Sequence, residues 1–212
     1  MLNVQRWGAT QAVRHLVVVC HGYSSSAAEM GMLAESWAPF LPGTAFLAPD
    51  GPQPFELFPM GFQWFSLRDR TPTVLQSGAA AVAPLLNAAV DAECARLGVP
   101  PDQVAMGGFS QGAMMALHAG LRRRPPPACI LAYSGALLDT PELAAEISGN
   151  PPVLMVHGEQ DQVVPFSRGQ ASAEALRRLG VPVQTCWRPE LEHGVDEPGL
   201  AAGLALLRQL FR

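Results

Sequence analysis

The sequence predicts an α/β protein built on a mostly parallel central sheet of about seven strands, with helices on both faces. Short apolar segments alternate with longer segments of helical spacing along the chain. The apolar segments are continuous rather than alternating, which is typical of parallel strands buried on both faces. The 212 residues suit one domain, covering 1–212, because a chain of this size buries about 70% of its unfolded surface.

The predicted strands are short apolar runs bounded by turn-forming residues. The clearest lies at 14–20, where Leu16-Val17-Val18-Val19 is the β-branched run of a central strand. In chain order, the predicted strands cover residues 2–7, 14–20, 43–48, 103–109, 128–133, 152–156 and 181–187.

The predicted helices lie between these strands and carry apolar residues three and four positions apart. In the second helix, Pro84 either produces a kink or marks the start of the main part. Gly98 follows this helix and Gly180 follows a later one, as glycine often does at a helix end. In chain order, the predicted helices cover residues 27–37, 74–97, 111–123, 141–147, 166–179 and 198–211.

Composition and charge exclude several classes of partner. The net charge is −4, and the basic triplet Arg122-Arg123-Arg124 lies at a helix C-terminus, where cations complement the dipole. We therefore expect no nucleic-acid partner. The four cysteines lack metal-site spacing and lie in apolar segments, which indicates buried thiols in a reducing compartment and no metal site. The N-terminus lacks a signal-peptide pattern, and the run at 16–20 is too short to span a membrane. We expect a cytoplasmic protein without stable membrane insertion.

A glycine-serine motif separates one predicted strand from the next helix. Gly108, Ser110 and Gly112 fit the pattern G-x-S-x-G, in which a serine occupies a tight turn between strand and helix. The flanking residues must be small because the two backbones pass close together. The hydroxyl then lies at a helix N-terminus, which favours negative charge. We predict that Ser110 is a nucleophile. The five-residue motif by itself fits an ordinary glycine-rich turn equally well.

Two further side chains are predicted to meet Ser110. In enzymes with this motif, an acid and then a histidine follow the nucleophile along the chain. Asp161 comes just beyond the C-terminal end of one predicted strand, and His193 just beyond the next. Sites in open α/β sheets form outside the strand C-termini, so all three residues share one edge. The histidine would take the serine proton, and the carboxylate would fix the histidine tautomer.

Other acids and histidines follow the serine as well. Asp139 and Asp196 are the remaining aspartates after Ser110. We assign His118 a structural role in the helix after the motif, and we expect His157 to support the acid loop.

Backbone N–H groups are expected to form an oxyanion hole. One would belong to Gln111, directly after the nucleophile, and the other to Tyr23 in the loop after an early strand. A plain tight turn at His21-Gly22 is the competing interpretation. Loss of one such donor typically costs about 100- to 1000-fold in rate.

The long connection at 49–72 has two interpretations. It is rich in proline and aromatic residues, and loops of this length are usually functional or disordered. The aromatic content argues against disorder. Phe58, Met60, Phe62 and Trp64 either line a substrate pocket or fasten the loop to the core. About 18 residues separate Tyr133 from Pro152, which is too few for a separate cap domain.

These motifs together resemble the phospholipase/carboxylesterase family of α/β-hydrolases, which includes acyl-protein thioesterases. The similar segments span residues 14–194 and include 18–23, 48–49, 64–65, 107–112, 157–158, 161–165 and His193. The resemblance implies the α/β-hydrolase fold and a cofactor-free serine esterase with Ser110, Asp161 and His193 as its triad. Two positions depart from the family's thioesterases. After His21-Gly22-Tyr23 they usually have a Gly-Asp pair, and this chain has Ser24-Ser25. After Trp64-Phe65 they often have Asp, and this chain has Ser66.

We expect the substrate to be a small-molecule carboxylic ester with a short or medium acyl chain. Acyl-thioester or lysophospholipid hydrolysis is the alternative within the family. A non-catalytic binding protein of the same fold is the alternative outside enzymes, and a peptidase is a weaker one. A monomer and a homodimer are both compatible with the sequence.

Overall fold

The computed structural model describes residues 1–58 and 60–211, and its main feature is a seven-stranded sheet. The strands are β1 (Val4–Gly8), β2 (His15–Cys20), β3 (Thr44–Pro49), β4 (Gln53–Pro54), β5 (Phe62–Gln63), β6 (Val104–Phe109), β7 (Cys129–Tyr133), β8 (Val153–Gly158) and β9 (Val183–Arg188). The α-helices are α1 (Gly31–Trp37), α2 (Pro72–Leu97), α3 (Gln111–Arg122), α4 (Leu143–Glu146), α5 (Phe166–Arg178) and α6 (Glu197–Leu210). Three short 3₁₀ turns cover Ala27–Met30, Ala38–Phe40 and Pro101–Gln103.

The strand order confirms the predicted fold class. The large sheet has the order β1-β3-β2-β6-β7-β8-β9. Only β1 runs antiparallel to its neighbour, and the other pairs are parallel. From β2, the chain first moves to β3 on one side and later continues at β6 on the other. Such a switch point opens a crevice at the strand C-termini, where ligands bind in open α/β sheets.

Helices cover both faces of the sheet. Because side chains alternate along a strand, neighbours in β2 enter different clusters. Val17 and Val19 pack with Trp37 of α1 and with α6 on one face. Leu16 and Val18 pack with α2 and α3 on the other face, and α5 covers the β8 end of that face. The core thus consists of apolar layers above and below a fully buried central strand.

Several element bounds differ from the predicted ones. Helix α2 begins at Pro72, which suits the first helical turn because its missing N–H has no helical partner there. Pro84 lies inside this helix, which continues through it. The predicted helix at 141–147 is only the single turn of α4. The 49–72 connection contains the small antiparallel pair β4–β5, which is too short to show a periodicity.

Helix α2 is long and apolar enough to cross a membrane by length and composition alone, with an 18-residue window of mean hydropathy 1.4. In the structure it packs on α3 and β3, and Leu75, Leu86 and Val90 are buried there. The buried Glu93 near its end is paired with arginines from β1 and from α2 itself. The buried stripe of α2 therefore belongs to the core beside the sheet.

His118 in α3 makes the folded state sensitive to acid. Burial, with the charge of Arg122 nearby, lowers the pKa of His118 from 6.5 to about 4. As the pH falls below about 6.5, the unfolded chain therefore binds a proton that the folded chain does not, and stability is lost down to about pH 4. We expect this histidine to lower the free energy of unfolding by about 2 kcal/mol between pH 7 and pH 5.

Urea unfolding of the wild type and of His118→Leu at several pH values checks this expectation. The variant should lose less stability on acidification, since its side chain binds no proton. Parallel pH profiles for the two proteins would contradict the assignment.

Candidate active site

Ser110 occupies the sharp turn between β6 and α3. Its backbone has φ 54° and ψ −117°, in a region that non-glycine residues rarely adopt. A Cβ at Gly108 would overlap the carbonyl group of Gly112, and a Cβ at Gly112 would overlap the carbonyl group of Cys20. The strand and helix can approach this closely only because both positions are glycine. The turn therefore has the geometry that the G-x-S-x-G pattern requires.

The structure brings the three predicted side chains together. The His193 Nε2 atom lies 3.0 Å from the Ser110 Oγ atom. The His193 Nδ1 atom lies 2.7 Å from an Asp161 carboxylate oxygen, Oδ2. Ser110 and Asp161 are buried, and the His193 side chain is 18% exposed. A histidine held in this way can accept the proton of a serine hydroxyl during nucleophilic attack.

The Asp161 carboxylate is fixed by its own loop. Its Oδ1 atom accepts hydrogen bonds from the backbone N–H groups of Val163 and Val164, each at 2.9 Å. The other oxygen, Oδ2, therefore faces the histidines. Because the side chain is buried, these donors replace the water that a carboxylate needs.

A second histidine contacts the same carboxylate oxygen. The His157 Nε2 atom lies 3.2 Å from Asp161 Oδ2 and 2.9 Å from the Val164 carbonyl oxygen. Since Nε2 faces two acceptors, it carries the proton. The His157 Nδ1 atom is buried without a hydrogen-bond partner among the described residues. This placement agrees with the expected support of the acid loop.

The His193 loop is held by contacts that the sequence does not reveal. The Ser134 hydroxyl, just after β7, donates to the Gly194 carbonyl oxygen at 2.8 Å. The Gln160 N–H, in the acid loop, donates to the Leu191 carbonyl oxygen at 3.0 Å. Phe109 lies against the His193 ring, with 4.8 Å between the ring centroids. The only sequence signal for Ser134 is its position directly after a strand on the functional edge.

The two predicted oxyanion donors lie in adjacent loops. Residue pairing places Cys20, at the end of β2, opposite Gly108 in β6, so the loops that follow them are neighbours. The backbone N–H groups of Tyr23 and Gln111 donate no hydrogen bond to any of the described residues. Donors of this kind can stabilise an oxyanion that forms beside Ser110.

His21 fixes the backbone of the first of these loops. It is buried, and burial lowers its pKa, so the ring is neutral. Its Nε2 atom accepts a hydrogen bond from the Gly51 N–H at 2.8 Å, which leaves Nδ1 to donate to the Gly22 carbonyl oxygen at 2.7 Å. The Trp64 indole N–H donates to the His21 carbonyl oxygen at 2.9 Å.

Glu56 organises the outer part of the 49–72 loop. Its carboxylate accepts hydrogen bonds from the Tyr23 hydroxyl, from Ser66 at 2.7 Å and from the Leu67 N–H at 3.1 Å, and it pairs with Arg68. Burial alone would raise the pKa of Glu56, but these bonds and the arginine charge lower it overall. The loop is thus tied to the side chain of Tyr23, which also lines the cavity beside Ser110.

The sequence leaves two roles open for Phe58, Met60, Phe62 and Trp64: walls of a substrate pocket, or contacts that fasten the 49–72 loop to the core. Trp64 is fully buried and fastened to the core, whereas the Phe58 and Met60 side chains are exposed. Phe62 pairs in the β4–β5 hairpin, and none of the four lines the cavity beside Ser110. For Trp64, the alternative that it fastens the loop to the core describes the structure.

A cavity of about 210 Å³ lies beside Ser110 and His193. Its walls come from the 21–23 loop, the end of the 49–72 loop, the first turns of α2 and α3, and the acid loop. The residues that line it, besides Ser110 and His193, are Tyr23, Leu67, Arg70, Leu75, Phe109, Met114, Val163, Val164 and Arg168.

The Gln111 side chain holds the 49–72 loop in place. The side chain is fully buried. Its Oε1 atom accepts a hydrogen bond from the backbone N–H of Trp64 at 2.9 Å, and its Nε2 atom donates to the Phe65 carbonyl oxygen at 2.7 Å. Gln111→Leu would leave both backbone groups without partners. We expect the free energy of unfolding to fall by about 2–4 kcal/mol.

Urea unfolding measures this loss. Gln160→Leu is the control, since Gln160 is exposed and makes a single side-chain bond at 3.1 Å. Equal, small effects of the two substitutions would contradict the role of Gln111.

The strand order and the serine turn define an α/β-hydrolase. Residues 8–207 match the phospholipase/carboxylesterase family, Abhydrolase_2. The chain therefore belongs to this family and is a hydrolase of the esterase type.

Individual relatives agree with this membership. The chain is 28% identical over 196 residues to Esterase YpfH of Escherichia coli strain K12, covering 92% of this chain and 82% of that protein. It is 30% identical over 169 residues to acyl-protein thioesterase 1 of Schizosaccharomyces pombe, covering 76% and 74%. The crystal structure of esterase PE8 superposes with a TM-score of 0.93 at 34% identity over 99% of both chains.

Proposed function

We propose that the protein hydrolyses carboxylic esters of short to medium acyl chain length, with Ser110, His193 and Asp161 as its catalytic triad. The observation that carries this proposal is the unbroken chain of hydrogen-bond contacts from Asp161 through His193 to Ser110. The serine lies on a turn with positive φ at the C-terminal edge of a parallel strand, where sites in open α/β sheets form.

In the first half of the reaction, the Ser110 oxygen attacks the ester carbonyl carbon while His193 Nε2 takes the hydroxyl proton. Asp161 keeps the proton on His193 Nδ1 and stabilises the imidazolium. The carbonyl oxygen becomes an oxyanion, which the N–H groups of Tyr23 and Gln111 stabilise. The carbon–oxygen bond to the alcohol then breaks, and the alcohol leaves with the proton from His193.

In the second half, water hydrolyses the acyl-enzyme. His193 Nε2 takes a proton from water, and the resulting hydroxide attacks the carbonyl carbon of the acyl group. When the bond to Ser110 Oγ breaks, the serine recovers its proton from His193, and the carboxylic acid leaves. None of these steps calls for a metal or a cofactor.

The cavity supports the chain-length proposal. A volume of about 210 Å³ corresponds to about seven water-sized groups, taking about 30 Å³ for each. Its apolar walls, which include Leu75, Met114 and Val163, suit a short carbon chain. A long acyl chain would have to extend beyond this cavity.

Kinetics with p-nitrophenyl esters of graded acyl length test this function. We expect a burst of p-nitrophenolate equal to the enzyme concentration, because deacylation follows a faster acylation, and the highest kcat/KM at short chains. Ser36→Ala is the control, since Ser36 is an exposed residue of α1. Hydrolysis that persists in Ser110→Ala would refute the proposal.

Thioester hydrolysis is the second candidate, favoured by the relatives named acyl-protein thioesterase 1. Acyl-thioesters matched in chain length to the oxygen esters distinguish the two. If kcat/KM is higher for the thioester, the thioester becomes the proposed substrate, and the proposed triad stays the same. A protein that hydrolyses neither would be a binding protein of this fold.

A further inference from the structure

The cavity beside Ser110 carries two guanidinium groups and, among the described residues, no carboxylate in its lining. Arg70 and Arg168 line it together with Ser110 and His193. Neither arginine has an ion-pair partner within the described ranges 1–58 and 60–211. Acids neutralise many arginines elsewhere: Arg6, Arg68, Arg96, Arg122, Arg123 and Arg188 are all paired.

Helix N-termini add to this positive charge. Arg168 lies in the first turn of α5, and Arg70 lies two residues before α2 begins. The helices α2, α3 and α5 all start around the cavity, and none has an acid in its first turn. Helix N-termini carry partial positive charge and usually attract acids. By contrast, α6 begins with Asp196, which accepts the Gly199 N–H, and with Glu197.

Among the acids around these groups, Asp139 lines a neighbouring surface cavity with Arg168 but forms no ion pair among the described residues, and three others are engaged or face away. Asp69 is exposed, accepts the Thr71 N–H at 2.9 Å and does not line the cavity. Glu56, behind Tyr23, is paired with Arg68. Asp161 is buried behind His193 and accepts its own backbone donors. Cations placed against the dipoles of two helices cost stability, and a bound anion would offset that cost.

We propose that the preferred ester also carries a carboxylate, and that Arg70 and Arg168 bind this carboxylate while the ester carbonyl lies at Ser110. Arginine suits a carboxylate because its planar fork donates two parallel hydrogen bonds. The apolar wall between the charged ends fits a short carbon linker. This inference rests on the proposed esterase function and specifies its substrate class.

Matched substrate pairs test the inference. In the first pair, p-nitrophenyl hydrogen adipate carries the carboxylate on the acyl side, and its methyl ester masks that charge. In the second pair, para-acetoxybenzoate carries it on the alcohol side, with methyl para-acetoxybenzoate as the neutral partner. We expect the acid of at least one pair to have about tenfold higher kcat/KM than its masked partner, because two arginines recognise it.

Substitution of the arginines should remove this preference. We expect Arg70→Gln and Arg168→Gln each to lower the ratio of kcat/KM for the acid to that for its masked ester about three- to fivefold. The double variant should treat both partners alike, and salt at about 0.5 M should weaken the wild-type preference. Arg208→Gln is the control, since this exposed arginine belongs to α6 and lies outside the cavity.

The outcomes separate this inference from the function beneath it. Hydrolysis of the masked esters with equal kcat/KM for the acids, or a preference that survives in the double variant, overturns the carboxylate inference alone. Hydrolysis that persists in Ser110→Ala, or no hydrolysis of any of the four esters, overturns the proposed function and this inference with it.

Discussion

Ser110→Ala is expected to lower kcat for p-nitrophenyl butyrate by about five to six orders of magnitude, the loss seen when a serine hydrolase loses its nucleophile. Within residues 1–58 and 60–211, Ser110 supplies the one hydroxyl that contacts His193, whose Nε2 lies 3.0 Å from Ser110 Oγ. The residual rate would come from the oxyanion donors and from substrate binding. Steady-state kinetics with purified protein measure the loss.

The alanine variant should remain folded, because the Ser110 side chain makes no structural hydrogen bond apart from that to His193 among the described residues. Thermal unfolding of both proteins checks this. A folded Ser110→Ala protein that keeps more than about 1% of the wild-type kcat would be incompatible with its role as nucleophile.

Asp161→Asn is expected to lower kcat about 10⁴-fold, the size of loss seen when a triad aspartate becomes asparagine. The geometry explains why. Because Oδ1 accepts the N–H groups of Val163 and Val164, asparagine must keep its oxygen there and place its NH₂ group where Oδ2 was. The NH₂ group would then donate to His193 Nδ1, which forces the ring proton onto Nε2. A protonated Nε2 cannot accept the Ser110 proton.

Two other aspartates serve as matched controls, because both follow Ser110 in the chain. Asp196 pairs with Arg188 at 2.8 Å and accepts the Gly199 N–H, and Asp139 is exposed. We expect Asp196→Asn and Asp139→Asn to change kcat less than about threefold, since asparagine at 196 keeps the cap on the Gly199 N–H and loses only the ion pair with Arg188. A larger loss in either than in Asp161→Asn would reassign the acid.

The sequence predicts the fold and the meeting of the three side chains because both depend on local patterns. Continuous apolar strands specify a parallel sheet, and parallel strands bring their C-terminal loops to one edge. Ser110 is predicted from the glycines two positions before and after it, because the strand and helix backbones must pass close together at this turn. Asp161 and His193 follow from their places after successive strands, so no knowledge of their surroundings is needed.

The walls of the cavity cannot be predicted in this way. The direction of a side chain in a long loop depends on contacts with distant residues, here Gln111 and His21 for Trp64. The hydroxyl of Ser134 and the carboxylate of Glu56 hold neighbouring loops without any periodic signal. Arg70 and Arg168 are far apart in the chain and line one cavity because α2 and α5 start at the same edge.

Covalent labelling tests the central claim most directly. After treatment with a fluorophosphonate, intact mass spectrometry and peptide mapping should show one adduct per chain, on Ser110. The adduct should be absent in Ser110→Ala and should form at least about 1000-fold more slowly in His193→Ala, where no base takes the proton. An adduct on another residue, or labelling at the wild-type rate in His193→Ala, would contradict the account.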